Sequence, residues 1–356
     1  MKTKPTIASE ADLTEMAVSL GETGQAFEGK TILITGGRGF LGRYFCDLFS
    51  YLNDTSLKKP CKVVLADTLI TAGDLGKNAT LPSGFEFRQI DVSKPFKVDG
   101  KLDYIFHAAG IASPHYYRSN PLETMDVAIQ GTRNALDLAR EHKAKMLFFS
   151  SSEIYGDPDP KFIPTTEEYK GSVSCLGPRA CYDESKRVGE TLCRVYFEQF
   201  GVATRMVRPF NVYGPGMQEN DFRVLPNFAS RIIGNKPISI YGSGNQTRTF
   251  CYISDAVVGF VKTLVHGKDG EPYNIGNPSP EVSILQLVQA IESVLERKVL
   301  TEIINYPDTY PADEPNRRCP DISKAISHLG YSPKITLNQG LHRFFQWAQT
   351  VYTGSN

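Results

Sequence analysis

The sequence predicts an α/β chain: a doubly wound parallel sheet followed by a smaller C-terminal domain. Three observations carry this. Short apolar runs alternate with amphipathic helical patterns over roughly the first 210 residues, as a parallel sheet covered on both faces requires. A glycine-rich turn, TGGRGFLG (35–42), joins the first apolar run to the first helical pattern. Beyond about residue 210 the pattern becomes irregular and rich in Gly, Pro and Asn. The expected division is an extension (1–29), a sheet domain (30–210) and a second domain (211–356). A segment near 248–265 is expected to return to the first domain.

Taken in order, Leu13, Met16, Ala17 and Leu20 follow helical spacing behind a Ser9 cap. They predict a short helix docked on the body. KTILITG (30–36) reads as a buried strand and FLGRYFCDLFSYL as the helix after it. Further strands are expected at CKVVLAD (61–67), FEFRQID (85–91), LDYIFHAAG (102–110), KMLFFSS (145–151) and VATRMVRP (202–209). PLETMDVAIQGTRNALDLAREH and YDESKRVGETLCRVYFEQFG read as helices.

Composition removes several classes of function. Lys plus Arg and Asp plus Glu number 39 each, so no overall field attracts nucleic acid or a membrane surface. The seven cysteines are odd in number and include no C-x-x-C pair, so neither a disulfide framework nor a metal site is expected. No apolar run reaches membrane-spanning length. The N-terminus lacks the apolar stretch of a signal peptide. The expectation is a soluble, cytoplasmic protein.

In TGGRGFLG the glycines fall at Gly36, Gly39 and Gly42. Gly36 permits the tight turn, Gly39 lets a pyrophosphate approach the backbone, and Gly42 allows close helix packing. Phe40 and Leu41 lie at the helix start, whose N–H groups face the phosphates. With a strand before it and a helix after it, the triplet reads as a Rossmann dinucleotide site. Asp67, ending the second strand, suits a ribose diol and favours NAD over NADP. Arg38 in the loop is a counter-indication, since it suits a 2′-phosphate. Asp91, ending the third strand, reads either as an adenine neighbour or as a solvated strand-end acid.

Tyr182 and Lys186 in YDESK are four apart, hence on one helix face. A nearby ammonium and the positive nicotinamide ring are expected to bring the tyrosine pKa from about 10 towards neutrality, making it a base. The strand end FFSSSEIYG (148–156) adds serine hydroxyls and an acid, Glu153.

Together GGRGFLG, ASPHYYRSNPLETM, SSSEIYGDP, GPRACYDESKR, RPFNVYGPGM, YGSGNQTRTFCYISD and RRCPDI make the chain resemble the extended short-chain dehydrogenase/reductases that act on nucleotide sugars. The resemblance covers roughly residues 30–345 and is strongest to UDP-glucuronate decarboxylases. It implies a Ser151–Tyr182–Lys186 catalytic set, with Ser152 as neighbour and stand-in. It implies a nucleotide-sugar substrate held by Tyr117, Arg118, Asn211, Tyr241, Arg248, Arg317 and Arg318, the second domain being the substrate-binding one. It also implies a homodimer built on the helices at about 121–142 and 182–200.

Glu153 acquires a role from this chemistry. Oxidation at C-4 of a glucuronate turns the C-6 carboxylate into a β-keto acid. Carbon dioxide leaves as electrons pass into an enolate, which then needs a proton at C-5, and an acid beside the set supplies it. Related 4,6-dehydratases resemble T-D-E at this place, and 4-epimerases lack the glutamate. Both stand as alternatives, as does a glutamate that only caps the turn. A non-catalytic NAD-binding regulator is a further alternative, against which the intact Ser–Tyr–Lys set argues.

Overall fold

The computed structural model describes residues 7–305 and 315–354. The extension forms helix α1 (Glu10–Leu20), and a 3-10 turn leads into strand β1 (Thr31–Thr35). Ser9 caps α1, its hydroxyl accepting from the Asp12 N–H, as expected. Then follow α2 (Phe40–Thr55), β2 (Lys62–Asp67), α3 (Gly73–Lys77), β3 (Phe85–Gln89) and β4 (Tyr104–His107). Next come α4 (Pro114–Ser119), α5 (Pro121–His142), β5 (Lys145–Phe149), α6 (Ala180–Phe200) and β6 (Thr204–Pro209).

The chain continues through β7 (Val212–Tyr213), α7 (Val224–Ile233), β8 (Ile238–Tyr241), β9 (Thr247–Arg248) and β10 (Cys251–Tyr252). Helix α8 (Ile253–His266) and strand β11 (Glu271–Ile275) precede β12 (Val282–Ser283), α9 (Ile284–Leu295) and β13 (Thr301–Ile304). The last elements are β14 (Arg317–Arg318), α10 (Ser323–Leu329) and α11 (Leu337–Val351).

The central sheet has seven strands in the order β11-β6-β5-β4-β1-β2-β3, all parallel. Alternation along each strand fills both faces, because successive side chains point opposite ways. Ile32, Ile34, Phe106, Leu147 and Phe149 join one apolar cluster with residues of α1, α2 and α8. Leu33, Ile105, Met146 and Phe148 join the other, with residues of α5 and α6. Several strands end earlier than their apolar runs: residues 90–91, 108–110 and 150–151 lie beyond β3, β4 and β5. Those residues form the rim where parallel-sheet ligands bind.

Strand β11 was not foreseen. Its sequence EPYNI is short and carries a proline, but it is an edge strand beside β6, where a missing N–H is tolerated. Helix α8 packs against β5, β6 and β11, so part of the chain after residue 210 belongs to the sheet layer. The remaining C-terminal strands form small pairs and a three-stranded sheet, β12-β9-β14. No helix among the described residues is long and apolar enough to cross a membrane.

Candidate active site

The glycine turn is tightly built. Gly36 has φ +69°, and a Cβ there would lie 2.8 Å from the Ala108 carbonyl oxygen at the end of β4. A Cβ on Gly42 would lie 2.4 Å from the Gly36 carbonyl oxygen. Gly39 is less confined, its added Cβ meeting only that oxygen at 3.2 Å. As N-cap of α2 it has no side chain to cap the first turn, so the N–H groups of Phe40, Leu41 and Gly42 point out of the helix start, where phosphate oxygens are stabilised. This cradle fits a dinucleotide.

Asp67 accepts from the backbone N–H of Arg38 at 2.9 Å and of Leu69 at 2.7 Å, which fixes its carboxylate beside the glycine turn. Arg38 donates to the Ala79 carbonyl at 2.6 Å and lies over the Phe87 ring at 4.8 Å. One edge of the Arg38 guanidinium is thus occupied within the protein. Asp91 accepts from the N–H and hydroxyl of Ser93 at 3.0 and 2.6 Å. Its carboxylate serves its own turn, in line with the bland reading of that residue.

At the end of β5, Ser151 caps a short 3-10 turn, its hydroxyl accepting from the Glu153 N–H at 3.2 Å. A hydrogen bond also joins Ser151 to the Tyr182 hydroxyl. Ser152 is buried. Tyr182 and Lys186 lie on one face of α6, with Lys186 Nζ 5.7 Å from the tyrosine ring centre. Lys186 donates to the Phe149 carbonyl at 2.7 Å. Burial pushes the Tyr182 hydroxyl up to about 12, opposed by the bond from Ser151. Burial pulls Lys186 down to about 8. Burial thus outweighs the Ser151 bond and holds the Tyr182 hydroxyl above its usual value, and a positive nicotinamide ring would act against it.

Tyr117 lies in α4. Its ring stacks on that of Tyr182, with centroids 5.4 Å apart and planes 13° apart. Arg118, one residue on, is exposed. His107, at the end of β4, is a core residue as expected, held between Thr35 at 2.8 Å and Thr132 at 3.2 Å. Burial pulls its pKa down to about 3.

Glu153 does not cap the turn. Its carboxylate receives a fork from Arg318, Nη1 to Oε1 at 2.5 Å and Nη2 to Oε2 at 2.7 Å. Oε2 also accepts from Arg179. Arg179 in turn faces Asp183, Nε to Oδ2 at 3.5 Å. Sequence reasoning missed Arg179 and Asp183, although their i, i+4 spacing inside GPRACYDESKR was a legible signal.

Strand alternation sends the neighbouring arginines of β14 apart. Arg318 turns to Glu153, while Arg317 pairs with Glu281 at 2.8 Å. Arg317 is thus not brought to the Glu153 cluster. Arg248 is the register partner of Arg318 across β9–β14 and is buried, donating to the carbonyls of Thr247 and Asn316 at 2.8 and 3.2 Å. Asn211 has φ +41° and donates to the Thr249 carbonyl at 2.8 Å. Tyr241 ends β8, half-buried. No group of three or more metal-ligating side chains occurs among the described residues.

Residues 32–276 match the NAD dependent epimerase/dehydratase family. The chain belongs to that family. Members similar to it include UDP-glucuronic acid decarboxylase 1 of Danio rerio, 39% identical over 89% of this chain and 72% of the relative. UDP-glucuronic acid decarboxylase 6 of Arabidopsis thaliana is 39% identical over 87% of this chain and 86% of its own. Among solved structures, UDP-glucuronic acid 4-epimerase of Bacillus cereus, in complex with UDP-glucuronic acid and NAD, has a TM-score of 0.76 and 27% identity. That match covers 90% of this chain and 100% of the other. As a member of an NAD dependent family, the chain takes NAD as its cofactor.

Proposed function

We propose that this chain is an NAD-dependent decarboxylase of UDP-glucuronate, acting through a 4-keto intermediate to a UDP-pentose. The observation that carries the reading is Glu153: a carboxylate at the strand end, one residue from the buried Ser152 and two from Ser151, which is bonded to Tyr182. The decarboxylase relatives support it.

Gly36, Gly39, Phe40, Leu41, Gly42 and Asp67 would hold NAD. When bound, NAD supplies a hydride acceptor at C-4 of the sugar and a positive ring beside Tyr182. Tyr182 takes the proton of the 4-hydroxyl, with Ser151 sharing it. Lys186, buried and bonded to the Phe149 carbonyl, adds a positive charge that favours the phenolate. Loss of carbon dioxide leaves an enolate, and Glu153 relays to C-5 a proton drawn from water. Return of the hydride to C-4, with the proton on Tyr182, would then give the UDP-pentose, and without it the product would be the UDP-4-keto-pentose. Tyr117, Arg118, Asn211 and Tyr241 would recognise the nucleotide sugar together with Arg248, Arg317 and Arg318, whose guanidinium groups would have to turn from the protein acceptors they hold here to meet its phosphates and carboxylate.

The chain would divide into an NAD-binding unit at 30–210, joined by α8 and β11, and a substrate-binding unit from the rest of 211–356. A homodimer through α5 and α6 fits the exposed Leu122 and Met125 on one helix and Val188 on the other. Seven unpaired cysteines fit a reducing, cytoplasmic compartment. The 4-epimerase of Bacillus cereus supports a second reading, in which the carboxylate is retained.

The test is incubation with NAD and UDP-glucuronate, followed by mass spectrometry and carbon dioxide measurement. Carbon dioxide and a UDP-pentose are expected. A product of unchanged mass would support epimerisation instead.

A further inference from the structure

The Glu153 carboxylate meets two guanidinium groups from different parts of the fold. Arg318 comes from the two-residue strand β14 in the C-terminal part. Arg179 is the N-cap residue of α6, the helix that carries Tyr182 and Lys186. The planar fork of Arg179 has two edges in use. Its Nη2 donates to Glu153, and its Nε faces Asp183 at 3.5 Å. Both Arg179 and Asp183 have side chains only 8% exposed. The other Asp183 oxygen is buried and accepts no hydrogen bond from a described residue.

We propose that Arg179, tethered by Asp183, is a positioning residue that fixes Glu153 relative to Tyr182. The inference rests on the decarboxylase reading of Glu153. Its physical basis is that the guanidinium bridges two carboxylates, one on the turn after β5 and one next to Tyr182 on α6. A rigid fork spanning both sets where the C-5 proton donor stands relative to the C-4 base. Arg318, by contrast, reaches Glu153 from β14, which pairs with β9. Burial lifts the Asp183 carboxyl, and the pull of Arg179, ahead of that of Arg318, opposes it.

The proposal separates two steps that a general structural role would weaken together. Oxidation at C-4 depends on Tyr182, whereas protonation after decarboxylation depends on where Glu153 stands. Arg179→Gln should therefore lower the ratio of pentose formed to carbon dioxide released, by roughly tenfold relative to wild type. Arg179→Lys keeps the charge and loses the planar fork, so its ratio should fall between the two, by about threefold. A wild-type ratio in either folded variant overturns the proposal. A second measurement needs no substrate. Melting temperatures of Arg179→Gln, Glu153→Gln and the double variant should be non-additive, the double variant losing less than the sum of the single losses. Additive losses overturn the positioning link. Absence of carbon dioxide from the wild-type enzyme would instead count against the decarboxylase reading, with the melting cycle still deciding whether Arg179 holds Glu153.

Discussion

Glu153 and Tyr182 serve different steps in the proposed reaction, so their substitutions should have different signatures. Tyr182→Phe deletes the base at C-4. NADH formation should fall by about a hundredfold or more while NAD binding persists, measured by absorbance and by cofactor titration. Glu153→Gln keeps the shape and loses the acid. NADH should still form from UDP-glucuronate while pentose formation falls ~100-fold. Unchanged pentose formation would remove Glu153 from the C-5 role. His107 gives a pH prediction. Burial holds its folded pKa down at about 3, so below the unfolded value the unfolded chain binds a proton that the folded chain does not. Stability is then lost as pH falls from about 6.5 towards 3, by up to roughly 5 kcal/mol. His107→Gln should flatten that limb in denaturant unfolding measured at several pH values. An unchanged acid limb would mean that other groups cause it.

Elements were legible where their periodicity met ordinary packing. Helix α1 followed from Leu13, Met16 and Leu20 at helical spacing, and all three are buried. Its polar side was not legible: Asp12, fully buried, takes Arg343 at 2.6 Å and the Tyr252 hydroxyl at 3.1 Å, partners 331 and 240 residues away. Met16 is fully buried, so Met16→Ala should cost about 3 kcal/mol in chemical denaturation. A loss under about 1 kcal/mol would mean that α1 is loosely docked. The β1–α2 turn behaves differently, because there space and not burial is limiting. With 2.4 Å between an added Cβ on Gly42 and the Gly36 oxygen, Gly42→Ala must open the turn. NAD affinity should drop by at least tenfold on calorimetric titration.

At the scale of the molecule, the proposed dimer predicts a light-scattering mass of twice the chain at micromolar concentration. Leu122→Glu, at a side chain 72% exposed in the single chain, should shift that mass towards the monomer. Tyr196 on α6 is buried and donates to Asp137 of α5 at 2.7 Å. It therefore belongs to the packing within one chain. The sequence by itself determined the parallel sheet, the glycine cradle with Asp67 beside it, and the Tyr182–Lys186 face. Each is a local matter: hydrophobic period, backbone space at glycine, or spacing along one helix. Only the tertiary structure decided which arginine meets Glu153. Arg317 and Arg318 are adjacent and chemically alike, and the pleat of β14 sends one to Glu281 and the other 165 residues back to Glu153. It also decided that the strand β11 completes the sheet and that burial raises the Tyr182 hydroxyl. These outcomes depend on what lies across the fold, and neither residue type nor spacing along the chain encodes that distance.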